Sequence, residues 1–167
     1  MNLVTAADEP IRTCLARWMD VFHGDVAALD VVLADDVVLH SPVLFRPQAG
    51  KALVTMYLTA AAGSFAGVGP LAQPGGGDPG GAGVRHPDGE DWDGRFRYRR
   101  QVAEGDHAVL EFETTMDGRY INGVDMITCD ADGRIVDFKV MVRPLQAVEA
   151  VREKMMAALE QFEQQQG

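Results

Sequence analysis

The sequence has little of what several common protein classes require. Its only two cysteines, Cys14 and Cys129, lie far apart and lack the C-x-x-C spacing of a zinc site or a redox motif. We therefore expect two reduced, buried thiols, no metal site and a cytoplasmic protein. No apolar run is long enough to cross a bilayer, and the first residues lack the basic start and apolar core of a signal peptide.

Positive charge is also scarce. The 15 Lys and Arg residues stand against 25 Asp and Glu residues, which gives a net charge of -10 and a pI of about 4.7. Such a chain is poorly suited to a phosphate backbone or an acidic lipid surface, so we expect neither nucleic acid nor membrane among its partners. A hydrophobic fraction of 47% is ordinary for a globular protein, and the length suits a single domain, residues 1–167.

What the sequence does contain is a clear β-meander in its second half. Three runs of alternating character, 108–116, 120–129 and 135–142, are separated by Asp117-Gly118 and Asp132-Gly133. These dipeptides readily accept the positive φ angles of a tight hairpin turn. The pattern therefore predicts three antiparallel strands in sequence order.

Helical periodicity dominates the rest of the chain. It predicts helices after Ala7, after Asp25, from Gly50 to about Ser64 and after Pro144, and two further strands at 37–41 and 93–103. This order predicts an α+β domain in which helices cover one face of a strongly curved sheet, with an extra C-terminal helix. A curved sheet covered by helices tends to enclose a cavity, where ligands bind.

One segment, 67–92, interrupts this pattern. It is rich in glycine and proline and has almost no periodic hydrophobic residues. A compact domain rarely contains so long a structureless connection, so we expect either disorder or a mobile lid. His86 lies in this segment; it could act as a lid residue, but disorder is the simpler interpretation.

An acidic residue lies on the apolar face of the middle strand. Because successive strand residues point to opposite faces, Asp125 shares a face with Ile121, Gly123, Ile127 and Cys129. Its neighbours on the flanking strands are Leu110, Phe112, Phe138 and Val140. A buried charge without a partner costs several kcal/mol, so Asp125 has a hydrogen-bond partner, reaches water or stays protonated. Each outcome makes it a candidate general acid or hydrogen-bond donor.

The sequence also resembles a known superfamily. The segments HGDVAALDVVL, ADDVVLHSPVLFRPQAGKALV and GVDMITCDADGRIVDFKVMVRP are similar to the nuclear transport factor 2-like superfamily, which includes ketosteroid isomerase, SnoaL-type polyketide cyclases and limonene-type epoxide hydrolases. The resemblance covers nearly the whole chain outside 67–92. It implies a cone-shaped, curved antiparallel sheet wrapped on N-terminal helices, a cystatin-like α+β barrel.

The resemblance also assigns positions to site residues. The resemblance places Asp125 where ketosteroid isomerase has its oxyanion-hole aspartic acid, a carboxyl whose raised pKa keeps it protonated so that it can donate a hydrogen bond. Ser41 falls where that enzyme has its catalytic base, and Trp18 falls near its oxyanion tyrosine. In a comparison with the limonene-type hydrolases, His40 matches a water-positioning asparagine, and Val140 stands where those enzymes have their catalytic aspartate. Neither mechanism transfers unchanged.

These considerations predict a cofactor-independent enzyme with cyclase or isomerase-type proton chemistry on a small apolar carbonyl or polyketide-like ligand. We expect Asp125 as acid or oxyanion donor, His40 as proton shuttle and Ser41 as hydrogen-bond partner, although alternation turns only one of His40 and Ser41 inward. The predicted ligand-binding walls are Trp18, Leu110, Phe112, Ile127, Phe138 and Val140.

Two other functions stay open. One is a ligand-binding or accessory protein with the same pocket and no turnover, and the other is a homodimer that interacts through its outer sheet surface. Glu111 and Glu113 alternate with Leu110 and Phe112, so they are expected on that outer surface. The stretch FRYRRQV is expected as a solvated strand face or a dimer contact.

Overall fold

The computed structural model describes residues 9–65 and 86–166. Within these ranges the helices are α1 (Pro10–Phe22), α2 (Ala28–Val32), α3 (Lys51–Phe65) and α4 (Leu145–Gln166). The strands are β1 (Leu33–His40), β2 (Gln48–Ala49), β3 (Arg97–Glu104), β4 (His107–Met116), β5 (Arg119–Cys129) and β6 (Ile135–Arg143). Residues 67–85 of the Gly/Pro-rich segment lie outside the described ranges.

The first helix follows directly from its sequence pattern. Pro10 occupies the first turn, where its missing N–H leaves no hydrogen bond unmade. Ile11, Leu15 and Trp18 recur at helical spacing and are all buried. The helix is followed by Gly24, whose φ of 105° is accessible to glycine at little cost.

The strands form one curved sheet that does not close into a barrel. Their order is β2-β1-β6-β5-β4-β3, and β3 to β6 form the antiparallel meander that the sequence predicts. One pair differs from the antiparallel expectation, because β1 runs parallel to β6. A parallel pair needs a long crossover connection, and here everything from β2 to β5 lies between the two strands.

The hairpin between β4 and β5 forms at Asp117-Gly118. Both residues have positive φ angles, 51° and 72°, as a type I′ turn requires. The turn fixes the register in which Phe112 lies opposite Gly123 and Leu110 opposite Asp125. The two faces of the meander are thereby set.

The helices pack on one face of the sheet, which we call the inner face. One apolar cluster joins α1 and α2 to Leu110, Ile127 and Phe138, and a second joins α3 and α4 to Phe112 and Ile121. The α+β fold and the extra C-terminal helix are confirmed. No helix in the described part of the chain has the length and apolar character needed to cross a membrane.

Candidate functional site

A cavity of about 80 Å³ lies between α1, α3 and the inner face of the sheet. Its walls are almost entirely apolar. Six aromatic residues line it, together with aliphatic side chains of α1, α3 and β6. The aromatic residues that line it are Trp18, Phe22, Phe65, Phe96, Phe112 and Phe138. A concave apolar space of this kind favours a small apolar ligand.

The aromatic rings form a continuous arc. Along Phe138, Trp18, Phe22, Phe96, Phe112 and Phe65, successive ring centroids are 4.9, 5.8, 4.7, 5.3 and 6.1 Å apart. These separations are typical of interacting aromatic pairs. The close approach of β4 and β5 depends on Gly123, since a Cβ atom there would collide with the Phe112 ring and the Met141 carbonyl. Gly123 therefore sets the position of one wall.

Among the described residues that line the cavity, Asp125 is the only one with an ionisable side chain. It lies in the middle of β5, opposite Leu110 of β4 and Val140 of β6, and only 6% of it is exposed. Burial raises the pKa of its carboxyl to about 7, and a hydrogen bond from Tyr98 offsets part of the rise. Asp125 therefore exists in both protonation states near neutral pH.

A directed chain of hydrogen bonds ends at this carboxyl. The indole Nε1 of Trp18 donates to the Tyr98 hydroxyl at 3.0 Å, and that hydroxyl donates to Oδ2 of Asp125 at 2.7 Å. Burial and the nearby charge of Asp125 hold the pKa of Tyr98 well above its usual value, so the phenol keeps its proton. The indole N–H can only donate, and the phenol donates its own proton to Asp125, so the chain runs from Trp18 through Tyr98 to Asp125.

This direction determines where Asp125 carries its own proton. Oδ2 already accepts from Tyr98, so the hydrogen-bond pattern assigns the acidic proton of the neutral carboxyl to Oδ1. Among the described residues, Oδ1 has no hydrogen-bond partner, and Asp125 lines the cavity. The arrangement can thus present an O–H donor to a ligand when Asp125 is protonated, and a bare carboxylate oxygen when it is ionised.

The structure brings most of the sequence-predicted site residues together. Trp18, Phe112, Phe138 and Val140 line the cavity with Asp125. The other two predicted walls, Leu110 and Ile127, are buried in the cluster beside α1 and α2 and do not line the cavity. They belong to the same buried cluster as Trp18 and Phe138, which do line the cavity.

His40 and Ser41, which were expected to act beside Asp125 as proton shuttle and hydrogen-bond partner, lie elsewhere. Leu39 takes the inward position on β1, so the His40 ring turns outward and its Nε2 lies 2.9 Å from Oδ2 of Asp137. The Oγ of Ser41 accepts a hydrogen bond from the backbone N–H of Val43 at 3.3 Å. Neither residue lines the cavity.

Sequence reasoning missed Tyr98, the direct partner of Asp125. The stretch FRYRRQV was expected as a solvated face or a dimer contact, yet it is amphipathic. Tyr98 pairs with Phe112 and faces inward, whereas Arg97 pairs with Glu113 and faces outward. The alternation of aromatic and basic residues, Phe96, Arg97, Tyr98, was the available signal.

The outer face holds a second buried carboxylate, Glu113. Its Oε2 lies 2.9 Å from Nε2 of His86 and 3.0 Å from the Tyr120 hydroxyl, while its Oε1 lies 2.6 Å from Nε of Arg97 and 3.4 Å from Nη1 of Arg99. Burial alone would raise the pKa of Glu113, but the hydrogen bonds from His86, Arg97 and Tyr120 outweigh it and hold the pKa below its usual value. Glu113 is a fully paired carboxylate.

The final part of the Gly/Pro-rich segment covers Glu113. His86 is only 4% exposed, and its Nδ1 accepts the backbone N–H of Asp88, which leaves Nε2 to donate to Glu113. The Trp92 ring lies edge-on to the His86 ring and stacks under the Arg97 guanidinium. Residues 86–92 therefore pack on the sheet, in contrast to the disorder favoured for His86 from the sequence.

Metal binding finds no support in the described geometry. Residues 9–65 and 86–166 contain no group of three or more His, Cys, Asp or Glu side chains arranged to hold a metal ion. The thiols of Cys14 and Cys129 are buried and free. Burial, followed by the proximity of Cys129, raises the pKa of Cys14 to about 12, so its thiol is protonated at neutral pH.

Comparison with solved structures gives the family. A steroid delta-isomerase from Pseudomonas aeruginosa superposes with a TM-score of 0.72 at 32% identity, over 92% of this chain and 93% of that one. The chain belongs to the nuclear transport factor 2-like superfamily. No protein-family model matches the sequence, and no curated protein matches it either.

Two further solved structures share the fold at lower identity. A bacterial protein with a cystatin-like fold from Silicibacter pomeroyi has a TM-score of 0.65 at 28% identity, over 86% of this chain and 83% of that one. A nuclear transport factor 2-like protein of unknown function from Mesorhizobium loti has a TM-score of 0.59 at 24% identity, over 83% of this chain and 94% of that one. The second likeness bears on the fold alone.

Proposed function

We propose that this protein is a cofactor-independent enzyme of the isomerase or cyclase type, which moves a proton in a small apolar carbonyl compound. The observation that carries the proposal is Asp125, a buried carboxyl with a pKa of about 7 in an aromatic cavity. A carboxyl with such a pKa is efficient as a general acid near neutral pH. The steroid delta-isomerase relative supports the reaction class.

In the proposed step the ligand's carbonyl oxygen lies against Oδ1 of Asp125. The protonated carboxyl donates to that oxygen, a water molecule takes the proton from the adjacent carbon, and an enol forms. Return of a proton at a different carbon, with return of the hydroxyl proton to Asp125, moves the double bond and regenerates the acid. The isomerisation is redox-neutral. The apolar walls strengthen the hydrogen bond to the developing oxyanion, because they lower the effective dielectric around it.

The hydrogen-bond chain behind Asp125 suits this role. Trp18 and Tyr98 occupy Oδ2 and leave the proton on the oxygen available to the ligand. As negative charge passes from the ligand to Asp125 and back, the Tyr98 donor stabilises the ionised state at a fixed distance. No reorganisation of solvent is then required during the step.

The substrate class is tested with β,γ-unsaturated cyclic ketones, a steroid ketone among them, followed by the absorbance of the conjugated product. We expect turnover that decreases as the pH rises through about 7, since the acid form of Asp125 is required. Asp125→Ala should lower kcat by about 100-fold or more. Asp137→Asn is the matched control, because that carboxylate contacts His40 outside the cavity. Turnover unchanged in Asp125→Ala would contradict the proposal.

A second candidate function is ligand binding without turnover. It is favoured by the absence of a second titratable side chain from the described lining of the cavity, since many proton transfers use an acid and a base together. Absence of turnover on every ketone, with saturable binding that Asp125→Asn leaves intact, would favour the binder.

The homodimer stays a prediction. The outer sheet face exposes Val102, Val109, Met126 and Met141, of which Val102 pairs with Val109 and Val109 with Met126. Such an apolar row suits a partner surface. Sedimentation velocity tests it, and a monomer at micromolar concentration would contradict it.

A further inference from the structure

The ionised form of Asp125 lacks a counter-charge. Its Oδ2 accepts one hydrogen bond from Tyr98, a neutral donor, and Oδ1 has no partner among the described residues. The described elements around it are α1, α3, β3, β4 and β6, and Tyr98 is the titratable group that they turn toward Asp125. Trp18 contributes an N–H to the chain, and the other lining side chains are apolar.

The walls around this carboxylate have the chemistry of a cation site. The arc of Phe138, Trp18, Phe22, Phe96, Phe112 and Phe65 surrounds the same cavity. The negative faces of aromatic rings attract organic cations, most strongly where water is excluded. An anionic oxygen and several aromatic rings at one small cavity match an ammonium group with apolar substituents.

From this geometry we propose that the cavity binds a small apolar organic ammonium ion, whose N–H donates to Oδ1 of Asp125 while its carbon substituents contact the aromatic arc. This ligand class is distinct from the neutral carbonyl compounds of the proposed function. The ion pair forms where the effective dielectric is low, and above about pH 7 Asp125 is already ionised in the free protein, so the ligand meets a buried carboxylate without a counter-charge. The rings supply further attraction to the cation.

The two ligand classes need opposite states of Asp125. A carbonyl ligand requires the proton on Oδ1, whereas an ammonium ligand requires that oxygen bare. Because the pKa of Asp125 is about 7, ammonium binding should strengthen as the pH rises through that value, while carbonyl turnover weakens. The amine should also inhibit ketone turnover by competition for the same cavity.

The experiment compares two probes of the same shape. N,N-dimethylbenzylamine carries a protonated nitrogen at the position where isobutylbenzene has a neutral CH group. At about pH 8 the amine should bind the intact protein at least about tenfold more tightly than the hydrocarbon. At about pH 5.5 its affinity should drop by about tenfold or more, because Asp125 is then protonated, while the hydrocarbon's affinity stays constant.

Substitutions identify the carboxylate responsible. Asp125→Asn should abolish the preference for the amine and its pH dependence, and Asp137→Asn should leave both unchanged. Equal affinity of the two probes, or a preference that survives Asp125→Asn, would overturn the proposal. If Asp125→Asn does not fold, the pH dependence of the two probes in the wild-type protein decides. Neither result depends on ketone turnover, so this inference and the proposed function fail separately.

Discussion

The sheet of this protein buries one carboxylate on each face, and the two behave in opposite ways. Asp125 on the inner face accepts a single hydrogen bond, and burial raises its pKa to about 7. Glu113 on the outer face is only 1% exposed, yet its pKa is below the usual value. The difference lies in the partners, because Glu113 is surrounded by four donors, two of them guanidinium groups. Burial raises the pKa of a carboxyl, and so makes it a proton donor at neutral pH, only where few hydrogen-bond donors surround the carboxyl.

The contrast also separates function from stability. A carboxylate with all lone pairs occupied is held ionised and fixes its neighbours, here the residues 86–92 that cover it. A carboxylate with one free oxygen keeps a proton in the neutral range and faces a cavity. A carboxyl whose pKa is shifted by burial in this way is typical of active sites.

The largest expected effect is on the pH dependence of stability. The unfolded Asp125 has an ordinary pKa of 3.8, whereas the folded value is about 7, so the folded state binds the proton more tightly. Its contribution is complete below the unfolded pKa and is lost as the pH rises toward 7. The full change is about 4 kcal/mol. Asp125→Asn should therefore raise the free energy of unfolding in urea at about pH 8 relative to wild type, and much less at about pH 4. A variant that destabilises equally at both pH values would contradict this.

Substitution of Glu113 should have a smaller effect on stability, and one of the opposite sign. Glu113→Gln keeps the shape but leaves Arg97, Arg99 and His86 without the carboxylate, so the free energy of unfolding at neutral pH should fall by about 2 kcal/mol. Because the folded pKa of Glu113 is lowered, the wild-type contribution is present above the ordinary pKa and is lost on acidification. The difference between variant and wild type should shrink at low pH. Glu111→Gln, at a more exposed carboxylate of the same strand, is the matched control.

The smallest expected effect is on the pKa of Asp125, and it tests directly how the number of hydrogen-bond donors sets that pKa. Tyr98→Phe removes the single donor to Asp125 and should raise the pKa of that carboxyl further above 7. The pH at which ketone turnover declines, or the titration of the Asp125 carboxyl carbon by NMR, reports the shift. Tyr57→Phe controls for the loss of a hydroxyl on α3. An unchanged titration would mean that Tyr98 does not set the acidity of Asp125.

Much of the fold could be read from local patterns. The helical spacing of Ile11, Leu15 and Trp18 and the Asp117-Gly118 turn each determine their element within a few residues. Alternation also gave the face of Asp125 correctly, as its place among Leu110 and Val140 shows. The site was predicted less completely, since His40 was expected beside Asp125 and Tyr98 was not considered.

These errors share a physical cause. Which strands become neighbours, and in what register, depends on connections that span most of the chain. His40 meets Asp137 because β1 inserts beside β6 in parallel, and Tyr98 reaches Asp125 across β4 from an edge strand with an irregular register after residue 98. The burial of Glu113 depends on residues 86–92, which return to the sheet after a segment with no periodic pattern.

The sequence by itself determined the α+β class, the meander, the acidic charge and the inward direction of Asp125, because periodicity and turn chemistry act over a few residues. Only the tertiary structure decided the partners of the two buried carboxylates and the aromatic arc around the cavity. Partners come from distant parts of the chain, and their number sets whether a buried carboxyl keeps its proton.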